Sequence, residues 1–226
     1  MAPGLTGFDP ALHARLDRQL ARGAEALGVP LGDGDRAAVL AHLALLQRWN
    51  AVYNLTAVRD PQAMLVRHVL DSLAIVPLLP HGPAVDVGSG AGFPGVPVAV
   101  ARGSQPMCLL DAELKRTRFL NQVCIGLGRA NLAVKRSRCE HVTPTDPDWP
   151  AGGGFALVLA RAVAPVEQFM AMAGHLCRPG GTMALMAGVA PRRIAPKAGF
   201  AGPDVRRVQV PGLSEPRHVV LIAREP

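Results

Sequence analysis

The sequence predicts an α/β protein in which a helical segment precedes a mostly parallel sheet that ends in an antiparallel hairpin. First, a short apolar run leads into the glycine-rich stretch 85–95, the pattern of a strand, a tight turn and a helix. Second, short apolar runs then alternate with helical stretches, as in successive β–α units. Third, the tail holds two strand-like runs with a proline- and glycine-containing segment, and no helix, between them.

Three helices are predicted before the sheet. Apolar side chains recur at helical spacing in residues 11–27, 36–50 and 61–79. Asp60 and Pro61 give the third helix a cap and first-turn signature. We therefore divide the chain into an N-terminal helical appendage, residues 1–60, and a Rossmann-like domain, residues 61–226.

Seven strands are predicted in the second part of the chain. They cover residues 84–87, 107–110, 133–135, 156–160, 182–186, 205–210 and 218–223. Pro179-Gly-Gly181 is predicted as the turn that enters the fifth strand, and Pro94 as the first residue of the helix after the glycine turn. The first five strands alternate with helices, which predicts a parallel arrangement.

The glycine turn is the most informative stretch of the sequence. Gly88, Gly90 and Gly92 leave backbone amides free to approach a nucleotide-like ligand. Gly90-Ala-Gly92-Phe-Pro-Gly95 also matches the dinucleotide fingerprint by letter. Asp86 argues for a different ligand, because a carboxylate at the strand's end repels a pyrophosphate and suits a cation such as the sulfonium of S-adenosylmethionine. Asp111 follows at the spacing of a ribose-binding acid, so an S-adenosylmethionine site is favoured over an NAD site.

Composition restricts the partners. The formal net charge of +7 favours an anionic partner, first nucleic acid and second an anionic membrane. The four cysteines show no metal-ligand or disulfide spacing, which predicts no metal site and reduced thiols in the cytoplasm. The N-terminus has no signal-peptide pattern, and no apolar run approaches the ~20 residues of a membrane span.

Several polar residues are candidates for the cleft. Arg161 ends the fourth strand, where its charge needs a partner, so we expect an ion pair or a bound substrate. His68 is either a general base or a hydrogen-bonded structural histidine. Arg67 and Asp71 are spaced as a surface ion pair of small value. Glu140 is either an adenine contact or a solvated loop acid.

A basic cluster spans residues 115–138, within which no acid occurs. It is either a solvated helix face or a phosphate-binding patch. Ser89 lies in the glycine turn, but its surroundings are not those of a serine nucleophile. The sequence therefore favours a reaction that needs no activated serine, no metal and no covalent intermediate.

The chain resembles the RsmG (GidB) family of bacterial 16S rRNA guanine-N7 methyltransferases. The resemblance rests on three stretches, residues 49–60, Arg67-His-Val-Leu-Asp-Ser72 and Asp86–Gly95, and it continues through residues 110–120, 160–162 and Arg217-His218. It implies a class I methyltransferase fold, S-adenosylmethionine as donor, and a guanine in the 530 loop of the small ribosomal subunit as acceptor. Guanine N7 carries a lone pair and no proton, so we expect in-line transfer governed by orientation, without a general base.

The resemblance also implies site residues. Family motifs place cofactor contacts at Gly88, Phe93, Cys139, Glu140 and Arg161, which join Asp86, Gly90, Gly92 and Asp111. With rRNA as substrate, we expect RNA contacts at Arg116, Arg118, Arg136 and Arg138, and a monomeric protein. Where the family commonly has a lysine, this chain has Met186, so Arg192, Arg193 or Lys197 would have to replace it in holding RNA.

Three alternatives stay open at this stage. The first is a methyltransferase for a small molecule, in which the positive charge is incidental. The second is an NAD-binding oxidoreductase, which Asp86 and the terminal hairpin disfavour. The third is an RNA-binding module without catalysis, which the completeness of the cofactor turn disfavours.

Overall fold

The computed structural model describes residues 7–143, 153–191 and 193–226. Its centre is a seven-stranded sheet of order β3-β2-β1-β4-β5-β7-β6. The strands are β1 Ala84–Val87, β2 Met107–Asp111, β3 Leu132–Arg136, β4 Phe155–Arg161, β5 Cys177–Ala187, β6 Asp204–Val208 and β7 Arg217–Ala223. Neighbours among β1–β5 pair in parallel, and β7 runs antiparallel to β5 and β6. The predicted parallel sheet and terminal hairpin are confirmed.

Helices cover both faces of this sheet. The α-helices are α1 Pro10–Ala26, α2 Asp33–Tyr53, α3 Pro61–Met64, α4 Asp71–Leu73, α5 Gly95–Ala101, α6 Leu114–Leu127 and α7 Val166–Ala173. A π-helical turn, Leu65–Leu70, joins α3 to α4, and short 3₁₀ turns lie at Val76–Leu78, Cys139–His141 and Gly174–Leu176. As predicted, Asp60 caps α3, since its Oδ2 accepts the Ala63 amide at 2.7 Å.

Three local predictions need correction. The third helix is not one regular helix from 61 to 79, because the π-helical turn interrupts it. Pro179-Gly-Gly181 is not a turn before β5 but an irregular section within it: Phe155 pairs with Cys177, and Leu157 already pairs with Thr182. Pro94 caps α5, which begins one residue later at Gly95.

Two hydrophobic clusters fill the molecule, one on each face of the sheet. Adjacent β1 residues enter different clusters, Ala84 the first and Val85 the second, as the alternation of a strand requires. The first cluster also receives Leu16 and Leu20 from α1, together with residues of α2, α5 and α6. The helices of residues 1–60 thus pack into the same core as the sheet.

Candidate active site

The glycine turn lies at the carboxyl end of β1, between β2 and β4. Gly88, Gly90 and Gly92 have φ angles of 70°, 57° and 87°, a region that other residues rarely adopt. The Gly88 amide donates to the Leu110 carbonyl at 2.8 Å, which ties the turn to the end of β2. The amides of Gly90 and Gly92 are engaged as well, by Asp111 Oδ2 and by the Ser89 carbonyl, so the turn does not leave its amides free as predicted. It offers a ligand space without side chains, at the edge where open α/β sheets bind ligands.

Asp86 lies in β1, two residues before the turn, and is fully buried. Its Oδ2 accepts the Gly95 amide at 2.9 Å, and a Cβ atom at Gly95 would lie 2.7 Å from the same oxygen. Burial raises the pKa of Asp86 to about 6, and Oδ1 has no hydrogen-bond partner among the described residues. The observed contact of the carboxylate is therefore with the start of α5, and its contact with a cationic ligand stays a prediction.

Asp111 ends β2 beside the turn, where the spacing predicted an acid. Its Oδ2 accepts the Gly90 amide and its Oδ1 the Glu113 amide, both at 2.9 Å. Arg116 Nη1 lies 3.6 Å from Oδ2. An acid held in this way at the end of the second strand is placed to accept from ribose hydroxyls.

Cys139 and Glu140 follow β3 in a 3₁₀ turn on the other side of β2. The Cys139 thiol donates to Glu140 Oε2 at 3.3 Å, and burial raises the pKa of this thiol to about 12. A thiol that stays protonated is no nucleophile. Glu140 itself is exposed, so a ligand can reach its carboxylate beside the hydrogen bond to Cys139.

These residues fit S-adenosylmethionine. Gly90 has open space around its Cβ position, where the nearest atom is a backbone oxygen at 3.8 Å. A Cβ atom at Gly88 would lie 2.8 Å from Val163 Cγ2. Val163 in turn lines a cavity of about 310 Å³ between the ends of β4 and β5. A turn without side chains, two buried acids and an adjacent cavity provide room and negative charge for a nucleoside with a sulfonium group.

A second cavity, of about 330 Å³, opens beside the first and is called here the Asp71 cavity. Asp71 is 4% exposed, and its carboxylate lies between two arginines, with Arg161 Nη1 at 3.5 Å and Arg217 Nε at 3.3 Å. Burial raises the pKa of Asp71, and the two arginines oppose this shift. One carboxylate therefore orients two cations toward the cavity.

The π-helical turn Leu65–Leu70 forms one wall of this cavity. Arg67 and His68 line it together with Asp71. His68 Nε2 lies 2.9 Å from Thr56 Oγ1, and burial together with Arg161 lowers the pKa of His68 to about 4. His68 is therefore neutral at physiological pH. Such π-helical turns are frequent at functional sites.

The ring of Phe93 lies at the back of the site and is 3% exposed. It stacks on His42, with centroids 4.8 Å apart, and contacts His68, with centroids 4.9 Å apart. Arg161 Cζ lies 5.3 Å from the ring centroid, a cation–π distance. The ring is thus engaged by protein side chains and fixes the position of Arg161.

Two residues of the site were not singled out from the sequence. His42 is fully buried, and its Nε2 lies 2.8 Å from the Ala91 carbonyl, so it supports the glycine turn from α2. Its signal in the sequence is only a histidine within an apolar helical stripe. Arg217 was named only as part of the Arg217-His218 motif, because no pattern along the chain relates it to Asp71.

The arginines expected to contact RNA lie apart from the Asp71 cavity. Arg116 is half-buried and faces Asp111. The other three are exposed: Arg118 on α6, Arg136 at the end of β3 and Arg138 after it. Met186 lines the Asp71 cavity as the strand partner of Arg161.

Of the residues named as substitutes for the family lysine, Lys197 donates to the Met170 carbonyl and Arg193 is exposed. Arg192 lies outside the described residues.

Two further findings concern absences within residues 7–143, 153–191 and 193–226. No group of three or more histidine, cysteine, aspartate or glutamate side chains there could hold a metal ion. No helix in these ranges is long and apolar enough to cross a bilayer.

We expect His42 to make the protein sensitive to acid. Burial lowers its pKa from 6.5 to about 4, so between these values the unfolded chain binds more protons and stability falls as pH falls. From pH 7 to pH 5 the loss attributable to His42 is about 2 kcal/mol. The raised pKa of Asp86 makes the protein more stable as pH falls, which opposes the effect of His42. This contribution is present in both wild type and variant, so it cancels in the comparison.

Urea unfolding of wild type and His42→Gln at both pH values isolates this contribution. The variant is expected to lose less stability on acidification than the wild type. Equal losses in the two proteins would show that His42 does not titrate in this way.

Comparison with known proteins agrees with this geometry. Residues 36–201 match the family model GidB, described as rRNA small subunit methyltransferase G. Ribosomal RNA small subunit methyltransferase G of Burkholderia pseudomallei is 43% identical over 216 residues, covering 93% of this chain and 92% of that protein. The protein of the same name from Nitrosospira multiformis is 40% identical over 215 residues, covering 91% and 96%.

Two solved structures share the fold. The O-methyltransferase TomG of Streptomyces achromogenes, in complex with S-adenosylmethionine, aligns with a TM-score of 0.55 at 16% identity, over 95% of this chain and 99% of that one. A SAM-dependent methyltransferase of Aquifex aeolicus aligns with a TM-score of 0.53 at 15% identity, over 76% and 97%. The fold is therefore that of S-adenosylmethionine-dependent methyltransferases, and the chain belongs to the GidB family, rRNA small subunit methyltransferase G.

Proposed function

We propose that this protein transfers a methyl group from S-adenosylmethionine to N7 of a guanine in the 530 loop of 16S rRNA. The observation that carries the proposal is the side-by-side placement of the glycine turn and the Asp71 cavity at the carboxyl ends of β1, β4 and β5. The glycine turn suits a nucleoside cofactor, and the Asp71 cavity is large enough for a base. Membership of the GidB family supports rRNA as the class of substrate.

Bound S-adenosylmethionine would supply an electrophilic methyl group on a sulfonium ion. The chain's own residues bind and orient. Asp111, fixed by the Gly90 amide, would accept from the ribose, and Arg161, fixed by Asp71 and Phe93, would stand between the two cavities. We propose the full cofactor set as Asp86, Gly88, Gly90, Gly92, Phe93, Asp111, Cys139, Glu140 and Arg161.

No general base is required by this proposal. Guanine N7 attacks through its lone pair and has no proton to lose, so the acceleration comes from proximity and orientation. His68, whose pKa is lowered to about 4, would be a weak base in any case. We assign His68 and Arg161 to the wall of the acceptor site rather than to proton transfer.

The remaining assignments follow from rRNA as substrate. We propose that the protein acts in the cytoplasm as a monomer on 16S rRNA or the small ribosomal subunit, and that Arg116, Arg118, Arg136 and Arg138 contact the RNA. We further propose that residues 1–60 are an appendage to the methyltransferase domain, residues 61–226. Met186 leaves the cavity wall without the positive charge that the family lysine would bring.

The test is methyl transfer from labelled S-adenosylmethionine to small ribosomal subunits from a strain that lacks the modification. The product is mapped by reduction and aniline cleavage, which exploits the cationic ring of N7-methylguanine. A single cut in the 530 loop would establish the acceptor atom and the substrate together. No transfer to subunits or to free 16S rRNA by protein that binds adenosylhomocysteine would contradict the proposal and favour a small-molecule acceptor.

A further inference from the structure

We infer that the N-terminal helix α1 is a docking surface for the RNA backbone, connected to the Asp71 cavity by a continuous groove. The inference rests on the proposed function, which supplies RNA as the substrate. The groove is formed by arginines of α1, by the segment around Gly212 before β7, and by Arg67 of the π-helical turn. We call it the α1 groove.

The outer part of the α1 groove carries concentrated positive charge. Arg15, Arg18 and Arg22 follow one another at spacings of three and four residues, so they share a face of α1. All three are exposed, and none forms an ion pair with a described residue. Two acids of α1 lie near them: Asp17 is already paired with Arg36 at 2.8 Å, and Glu25, at the end of the helix, forms no ion pair with the three arginines.

Such an arrangement is unfavourable in the protein alone. Like charges three or four residues apart on a helix repel each other. A polyanion removes this repulsion and gains further by releasing condensed counterions. The three arginines line a cavity of about 390 Å³ with Gln19 and Gly212, and its lining contains no acidic side chain among the described residues.

The groove continues from there to the active site. A neighbouring cavity of about 340 Å³ shares Gln19 and Gly212 with the first, and it is also lined by Gln62, Ser214 and Arg67. Arg67 is exposed and lines the Asp71 cavity as well. Three cavities are thus linked end to end by shared residues.

The chemistry of the groove suits a sugar–phosphate chain. Arginines bind phosphates at the outer end, and the amides and hydroxyl of the middle section can bond to ribose 2′-hydroxyls or phosphate oxygens. Glu215 also lines the middle section, so the positive charge is concentrated at the two ends. A linear ligand fits this series of cavities, with its phosphates on α1 and a base in the Asp71 cavity.

The experiment compares three variants with wild type, using small ribosomal subunits that lack the modification. The triple variant Arg15→Gln, Arg18→Gln, Arg22→Gln removes three charges from exposed helix positions at little cost in helix propensity. The triple lysine variant at the same positions retains the charges. Arg178→Gln removes an exposed arginine at the start of β5, on the opposite edge of the sheet from the site.

For the glutamine triple variant we expect KM for subunits to rise at least about tenfold, with kcat and adenosylhomocysteine binding unchanged. The slope of log KM against log salt should fall by about 2, because three phosphate contacts are lost and each contact to a single strand contributes about 0.7. The lysine triple variant and Arg178→Gln should stay within about threefold of wild type. An unchanged KM and salt slope in the glutamine variant, with normal helix content by circular dichroism, would overturn the inference.

The same salt series on equilibrium binding of subunits, without methyl transfer, separates this inference from the proposed function. If wild type binds subunits but does not methylate them, the proposed function fails. The docking surface on α1 is then tested by comparing the Kd of wild type and of the glutamine variant for subunits. A glutamine variant that binds as tightly as wild type would then reject the surface on its own.

Discussion

Replacing Asp71 with alanine is expected to lower kcat/KM at least about a hundredfold. Asp71 is 4% exposed and is the carboxylate that Arg161 and Arg217 share. Without it, two guanidinium groups face each other in a partly buried site. Removing one partner from a buried ion pair costs about 3–5 kcal/mol, so we also expect a marked loss of stability.

The outcome is measured as methyl transfer to small subunits and as the free energy of urea unfolding. Asp204→Ala is the matched control, because Asp204 also pairs with an arginine, Arg206, but at a half-exposed position. A surface pair of this kind contributes about 0–1 kcal/mol, so the control should keep its activity and stability.

A second variant, Asp71→Asn, separates charge from shape. It keeps the volume of the side chain and one acceptor oxygen, so the protein should fold while Arg161 and Arg217 lose their counter-charge. We expect kcat/KM to fall in this variant too. Wild-type kcat/KM in both Asp71 variants would show that the orientation of these arginines is irrelevant to the reaction.

Valine at Gly88 is expected to abolish cofactor binding, with an affinity loss of at least about a hundredfold. Gly88 has a φ of 70°, and a Cβ atom there would lie 2.8 Å from Val163 Cγ2. The new side chain would occupy the space through which the turn backbone approaches a ligand. The left-handed conformation itself adds a cost of about 1–2 kcal/mol in stability.

Gly103→Val is the matched control for backbone strain. Gly103 has a φ of 61°, and no atom lies within 4 Å of its Cβ position. Both variants should lose stability in thermal unfolding, Gly88→Val more than Gly103→Val because of its contact with Val163. Only Gly88→Val should lose adenosylhomocysteine binding by calorimetry. Wild-type affinity in a folded Gly88→Val protein would remove the glycine turn from the cofactor site.

Local patterns in the sequence were sufficient for most elements of the fold. Strand β1 is a run of four buried residues before a glycine turn, and such a run is recognisable without any knowledge of its neighbours. The same holds for Asp60 as a cap and for the final hairpin, whose strands have no helix between them. The irregular section of β5 was missed because its proline and glycines have the composition of an ordinary turn.

The turn and its acids were also predictable. Gly90 and Asp111 are 21 residues apart, and the structure joins them by a hydrogen bond. A β–α–β unit of standard length brings the ends of its two strands together, so the spacing alone indicates that the two residues meet.

The composition of the Asp71 cavity was decided by the tertiary structure. The spacing of four residues predicted an ion pair between Asp71 and Arg67, as on a regular helix. The π-helical turn changes that geometry, and Asp71 pairs instead with Arg161 and Arg217 from strands β4 and β7. His42 likewise reaches the glycine turn only because α2 packs against α5. The sequence by itself determined most of the elements and the glycine turn, and it favoured S-adenosylmethionine over NAD, because these depend on neighbours along the chain. Only the packing of distant strands and helices decided which charges meet, since such contacts leave no local pattern.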